Sequence, residues 1–483
     1  MIAPRLVPTL SFLLAGFGLA GCVAVGPDYV PPSTGGPAAW SRLEAARAVA
    51  GDETPGDLSH WWQRLDDPLL TELVEEALRR GPDLRVAQAR LREARARRTV
   101  AAAARFPELG ASGGARHSES SEETGSGASR NLYNAGFDAS WEADVFGGVR
   151  RGVEAADADI EASRADRDAV RVSLAAEVAV NYVEVRAQQI LLDVARANLA
   201  TQSETLQLTD WRAQAGLVSS QDVEQARANR EQTRAQIPAL ETSLAAAEHV
   251  LDVLLGLPPG TLHDRLAAPV GLPVMPMRTA VGIPAETLRQ RPDVRAAERA
   301  LAAQTARIGV AEAARYPAFR LSGSIGLEAL TIGALGNAGA ATSTLFAGVT
   351  APIFNAGRLR AQVDIQDAIR ERTLVVYEQT VLRALQEVEN ALVELARNNE
   401  RGEALANAVD AARNAAALAR QRYTAGLIDF QSVLDSERSL LTLEDSLARN
   451  RASSVQAFIR LYKALGGGWS RQDTDGGPRE ETS

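Results

Sequence analysis

Cysteine occurs once in the 483 residues, at Cys22, and lysine once, at Lys463. A single cysteine excludes a disulfide framework and a cysteine-built metal site. Histidine is confined to His60, His117, His249 and His263, whose spacing matches no metal-ligand motif. Aromatics are scarce at 5%, which suits close helix packing better than a bulky globular core. Positive charge is also short: the net charge is −9 and no basic patch occurs, which argues against nucleic acid as a partner. Gly110–Gly114 falls in a strand pattern rather than between a strand and a helix, so it offers no phosphate cradle. Nothing here supports an enzyme or a cofactor.

The most telling absence is local. From Val153 to Ala215 there is neither glycine nor proline, the two strongest helix breakers. An uninterrupted helix there would run roughly 95 Å at ~1.5 Å per residue. Acidic and arginine residues stud it, so it does not cross a membrane. Val170, Leu174, Val178, Tyr182 and Val185 form one apolar face for a partner helix. Gly216 ends the run, and the chain turns back through Leu217–Ser220 into a second arm, expected from Asp222 to Leu255. Pro238 lies in that arm and is expected to kink it.

This hairpin occurs twice. A shift of 210 residues carries Pro82-Asp83 to Pro292-Asp293 and Arg105-Phe106-Pro107 to Arg315-Tyr316-Pro317. It also carries Ala215-Gly216-Leu217 to Ala425-Gly426-Leu427, and Leu255-Gly256 to Leu465-Gly466. One register holding at so many non-alanine points is a tandem duplication. Repeat 1 is set at 66–256 and repeat 2 at 285–466, joined by a proline-rich linker, 257–284, expected to run over the surface. In repeat 2 the long helix is expected to break once at Gly402. The polar tail, 467–483, is expected to be disordered.

Between the short helices and the long one, the period changes from helical to two-fold. Tyr133, Ala135, Phe137, Ala139 and Trp141 alternate with Asn134, Gly136, Asp138, Ser140 and Glu142. Leu109 to His117 behaves similarly, and Ser118 to Arg130 is polar enough to be a solvated loop. Repeat 2 offers Phe319 to Leu327 and a last strand around Leu345 to Pro352. Such alternation fits a membrane β-barrel and equally a half-buried soluble hairpin. Four strands cannot close a barrel, because about eight is the practical minimum. A transmembrane reading therefore requires an oligomer, with two, three or more copies all permitted.

Residues 1–21 read as a lipoprotein signal: Arg5, the apolar run Leu6–Phe17, then Leu19-Ala20-Gly21-Cys22. An ordinary cleaved signal is the alternative, but the sole cysteine stands at the cleavage position, making Cys22 the candidate lipid anchor. The tether, 22–65, opens with Gly26-Pro27-Asp28-Tyr29-Val30-Pro31-Pro32, and His60-Trp61-Trp62 and Asp66-Asp67-Pro68-Leu69-Leu70 follow.

Together these motifs resemble the start of the OprM/NodT lipoprotein branch of the TolC outer-membrane efflux family, and the resemblance extends to about Gly466. It implies a mainly α protein with a membrane β-barrel. Duplicated long helical hairpins would form an α-barrel, and four strands per chain would complete a twelve-stranded barrel in a homotrimer. It implies an outer-membrane exit duct extending into the periplasm, served by a periplasmic adaptor and an inner-membrane RND-type pump. The alternatives are a type I secretion duct and a non-conducting periplasmic coiled-coil lipoprotein. By the same resemblance the tips Ala215, Gly216, Leu217, Ala425, Gly426 and Leu427 would meet the adaptor, unless they are ordinary turn residues. Asp435 resembles a gate aspartate, with Gln431 one turn earlier able to face the same pore. The opposing reading puts Asp435 on a solvated face or in a pair with Arg438.

Overall fold

A computed structural model describes residues 24–33, 37, 39–42, 58–276 and 284–470. The signal segment and Cys22 lie outside the described residues. Two compact units emerge. One combines the N-terminal stretch to Pro32, Arg90–Arg164 and Ala296–Glu378, and the other Ser33–Ala89, Ala165–Arg295 and Gln379–Ser483. Each draws on both sequence repeats.

Elements recur in one register. Helices α1 (Pro68–Arg80) and α2 (Pro82–Ala103) precede strands β1 (Glu108–Glu119) and β2 (Ser129–Ala143). Helices α3 (Gly148–Gln214) and α4 (Ser220–Leu255) form the first hairpin, and the turn α5 (His263–Leu266) follows. The second copy comprises α6 (Pro284–Gln290), α7 (Pro292–Ala313), β3 (Ala318–Ala329), β4 (Ala341–Thr350), α8 (Arg358–Thr424) and α9 (Phe430–Ala464). The long helices α3 and α8 have 67 residues each, ~100 Å at ~1.5 Å per residue. Among the described residues no helix is long and apolar enough to cross a membrane.

Four expectations change. Gly402 does not interrupt α8, because one interior glycine costs only about 1 kcal/mol against alanine and a 67-residue packed helix absorbs it. The position instead admits Asn450, whose amide would stand 3.0 Å from any Cβ there. The linker is not wholly superficial, since Leu262 and Leu266 are fully buried in the helical core. The tail begins docked: Gly467 lies on Trp61, and the Arg295 guanidinium lies 5.3 Å from the Trp469 ring centroid. The rest, from residue 471, is outside the described residues. Strands β1 and β2 take up both flanks of the polar stretch, leaving only 120–128 between them, while β4 ends before Pro352, which has no N–H to pair. The arm α4 runs on through Pro238.

In the first unit the sheet has order β1-β2-β3-β4, all antiparallel, so β2 and β3 join the repeats. Register sorts its faces. Leu109 opposes Ala139, Ala111 opposes Phe137, Phe137 opposes Ile325, and Trp141 opposes Leu321. This face is apolar and bare, with Leu109 71%, Ile325 65% and Leu345 81% exposed. The other face aligns Ser112 with Gly136, Asp138 with Ser324, and Ser324 with Thr344. Strands β1 and β4 are the edges.

In the second unit the motif residues of the tether supply a core. Trp61 and Trp62 are fully buried, and Trp61 stacks on Tyr462 at 5.8 Å. Asp67 caps α1 by accepting the Leu70 amide at 2.9 Å, Pro68 occupies the first helical position, and the Tyr182 hydroxyl donates to Asp67 at 2.7 Å. Burial and the Asp67 carboxylate push the Tyr182 phenol up to about 12. Arg186, fully buried, lies 5.0 Å from the Tyr182 ring centroid and donates to the carbonyls of Leu266 and Ala268 at 3.0 and 2.8 Å, tying the linker down.

Candidate functional site

The two hairpin ends are built alike. Gly216 and Gly426 adopt φ of 70° and 73°, where a side chain would be strained. At the first end the Leu217 amide donates to the Arg212 carbonyl at 2.8 Å and the Gly216 amide to Ala213 at 2.9 Å. At the second, Leu427 donates to Arg422 and Gly426 to Tyr423, both at 2.9 Å. These paired bonds are Schellman motifs that satisfy the last carbonyls of α3 and α8. Ala215, Gly216, Ala425 and Gly426 are exposed, and so are Leu217 at 67% and Leu427 at 73%. Two apolar side chains thus stand in solvent, each held by a rigid turn.

The following helices start on matched caps of reversed composition. Ser219 and Asp222 form a capping box, with the Ser219 hydroxyl accepting from the Asp222 amide and the Asp222 carboxylate from the Ser219 amide. At the equivalent positions Asp429 caps and Ser432 answers: Asp429 accepts the Ser432 amide at 3.0 Å and its hydroxyl at 2.6 Å. Those bonds hold the Asp429 carboxyl below its usual range.

Between the hairpins the symmetry ends. Tyr423 and Phe430, with ring centroids 5.6 Å apart, anchor a small core with Ala226, Ala419, Val433 and Leu434. Their repeat-1 counterparts are Ala213 and Ser220, too small for the purpose. Arg212 crosses from the first end to the second, its guanidinium 4.5 Å from the Tyr423 ring centroid and donating to the Tyr423 carbonyl. Aromatic residues are rare in this chain, and Tyr423 and Phe430 bracketing one glycine turn, with Ala213 and Ser220 at the matching positions of the other copy, were the signal that could have exposed this core.

Gln431 and Asp435 are exposed on one face of α9, and the Gln431 amide donates to the Asp435 carboxylate at 2.9 Å. The pairing of Asp435 with Arg438 does not form: Arg438 donates instead to buried Asn229 on α4 at 3.0 Å. Asp435 therefore presents a carboxylate with no cation upon it among the described contacts. Two residues on, Glu437 points the opposite way. It is 3% exposed, accepts the Thr205 hydroxyl at 2.9 Å, and lies 3.9 Å from Arg420. Burial pushes its carboxyl up, with Thr205 and Arg420 pulling it back. No spacing in the sequence marked it. No group of His, Cys, Asp and Glu among the described residues is arranged to hold a metal.

The sequence matches the family model described as outer membrane efflux protein over residues 73–257 and 283–467. Nodulation protein T of Rhizobium leguminosarum bv. viciae is 34% identical over 469 residues, covering 96% of this chain and 94% of that protein. The pyoverdine export outer membrane protein OpmQ of Pseudomonas putida is 35% identical over 454 residues, covering 91% and 94%. Among solved structures, the outer-membrane channel OprN superposes with a TM-score of 0.86 at 37% identity, over 92% of this chain and 99% of that one.

Proposed function

The chain belongs to the outer membrane efflux protein family, and we propose that it is the exit duct of a tripartite efflux system. It passes small molecules, received from an inner-membrane RND-type pump and its periplasmic adaptor, across the outer membrane. It catalyses no reaction and needs no cofactor, because the pump supplies the energy.

The sheet carries this reading. Its bare apolar face suits lipid, its polar face suits a water-filled lumen, and its two edges need partners. Backbone groups left unpaired in hydrocarbon would cost several kcal/mol each, so a four-stranded sheet enters a bilayer only by closing with copies of itself. Three copies give a twelve-stranded barrel, large enough for a channel. The ~100 Å helices that follow β2 and β4 line the periplasmic part of the duct. The tips at Leu217 and Leu427 meet the adaptor, Gln431 and Asp435 line the periplasmic gate, and acylated Cys22 adds a lipid anchor. A pyoverdine exporter among the relatives points to small organic cargo.

Purified full-length protein reconstituted in planar bilayers is expected to give discrete conductance steps and a trimer mass in detergent. Inserted oligomers that conduct nothing would leave a structural lipoprotein in place of the duct.

A further inference from the structure

The N-terminal residues Ala24–Tyr29 occupy a groove that one copy of the duplication builds and the other does not. The Val25 amide donates to the Phe146 carbonyl at 3.0 Å, just beyond β2. Ala24 sits where a side chain on Gly147 would be, 2.5 Å from that missing Cβ. Gly26, with φ of 90°, lies against α7 so closely that its own Cβ would fall 2.4 Å from the Cα of Gly309. Arg151, only 7% exposed, clamps the segment from α3: it donates to the carbonyls of Val25 and Gly26 at 3.2 and 3.3 Å and pairs with Asp28 at 2.7 Å. The Tyr29 hydroxyl then donates to Glu298 on α7 at 2.6 Å, with the Arg299 guanidinium 5.6 Å from its ring centroid.

The duplication provides an internal control. Where the fold alone demands a residue, both copies keep it, as Gly216 and Gly426 do. The groove residues break that rule. Arg151 corresponds to Ala361, Gly309 to Thr99, and Glu298-Arg299 to Gln88-Ala89. Gly147 corresponds to Gly357, which shares the left-handed conformation but has nothing within 4 Å of its missing Cβ. Gly309 is also a poor choice for the interior of α7, about 1 kcal/mol worse than alanine. A Cβ there would meet Arg151 at 2.8 Å and the Val25 carbonyl at 3.0 Å, so its absence is explained by the occupant and not by the helix.

We propose that Ala24–Tyr29 is a seated strap that staples α3 of repeat 1 to α7 of repeat 2. Helix α3 follows β2 and α7 precedes β3, the strand pair that joins the repeats, so the strap locks the helix-side end of that seam.

Gly309→Thr and Arg151→Ala write the other copy's residues into the groove. A third variant replaces residues 24–29 by a Gly-Ser segment of equal length and leaves the groove intact. In the full-length protein, both groove variants should speed hydrogen exchange of the Val25 amide at least ~tenfold. All three should lose strand circular dichroism at a lower temperature than wild type. Unchanged Val25 exchange in both groove variants would overturn the seating, and a released strap with a wild-type melting temperature would overturn the staple.

Discussion

Arg212 holds the second hairpin end from the first: its guanidinium lies over the ring of Tyr423 and donates to the carbonyl of the same residue. That carbonyl also accepts the Gly426 amide, so one side chain from repeat 1 braces the closing turn of repeat 2. Arg212→Ala should loosen this turn by about 2 kcal/mol, the sum of a partly buried cation–π contact and a charged hydrogen bond. Hydrogen exchange of Gly426 and Leu427 will report it. The counterpart Arg422 is exposed, and Arg422→Ala should change exchange little.

The exposed leucines test the docking of the adaptor. Leu217→Arg and Leu427→Arg leave the glycine turns and their bonds untouched and place charge where two apolar side chains now meet solvent. Cross-linking to the cognate adaptor should fall severalfold in the double variant, with unaltered oligomer mass. Full cross-linking in that variant would return both tips to the status of simple turns.

Asp435 tests the gate. Three copies around one axis would set three such carboxylates in a ring, attractive to cations and mutually repulsive when ionised. Asp435→Ala should raise basal conductance and weaken cation selectivity in planar bilayers. Gln431→Ala removes the amide that bonds Asp435 at 2.9 Å and should give a smaller change in the same direction.

Glu437 is expected to make the hairpin ends sensitive to pH. Its carboxyl is raised by burial, so the folded state binds the proton more tightly than the unfolded one does. Its contribution is then fully present in acid and is lost as the pH climbs through the raised value. The groups facing it are Thr205 from α3 and Arg420 from α8. Melting temperature plotted against pH should fall more steeply for wild type than for Glu437→Gln on leaving the acid range, and superimposable curves would dismiss the effect.

Cys22 tests the anchor. Cys22→Ser should abolish incorporation of labelled palmitate and block lipoprotein maturation, since the chain has no other cysteine. Undiminished palmitate in that variant would show that the label resides elsewhere.

The repeat, the long helices, the strand faces and the capped turns were legible in the sequence because each is a local or periodic property. A 3.6-residue stripe, a two-residue alternation and a glycine after a helix each state their own conformation. Asp67 could be placed within a motif, but its bond to Tyr182, 115 residues away, could not be seen there. What only the tertiary structure decided is where the two copies differ in their partners. Arg212 found Tyr423, Arg438 chose Asn229 over Asp435, Glu437 turned inward while Asp435 stayed in water, and Arg151 closed on the segment at Gly26. Gly402 stayed helical for the same reason, because its neighbours across the hairpin and not its own propensity determined the outcome. The duplication makes the distinction plain. Gly216 and Gly426, required by backbone geometry, recur after 210 positions, whereas Arg151 and Tyr423, each serving a distant contact, are matched by Ala361 and Ala213, because those contacts exist in only one place.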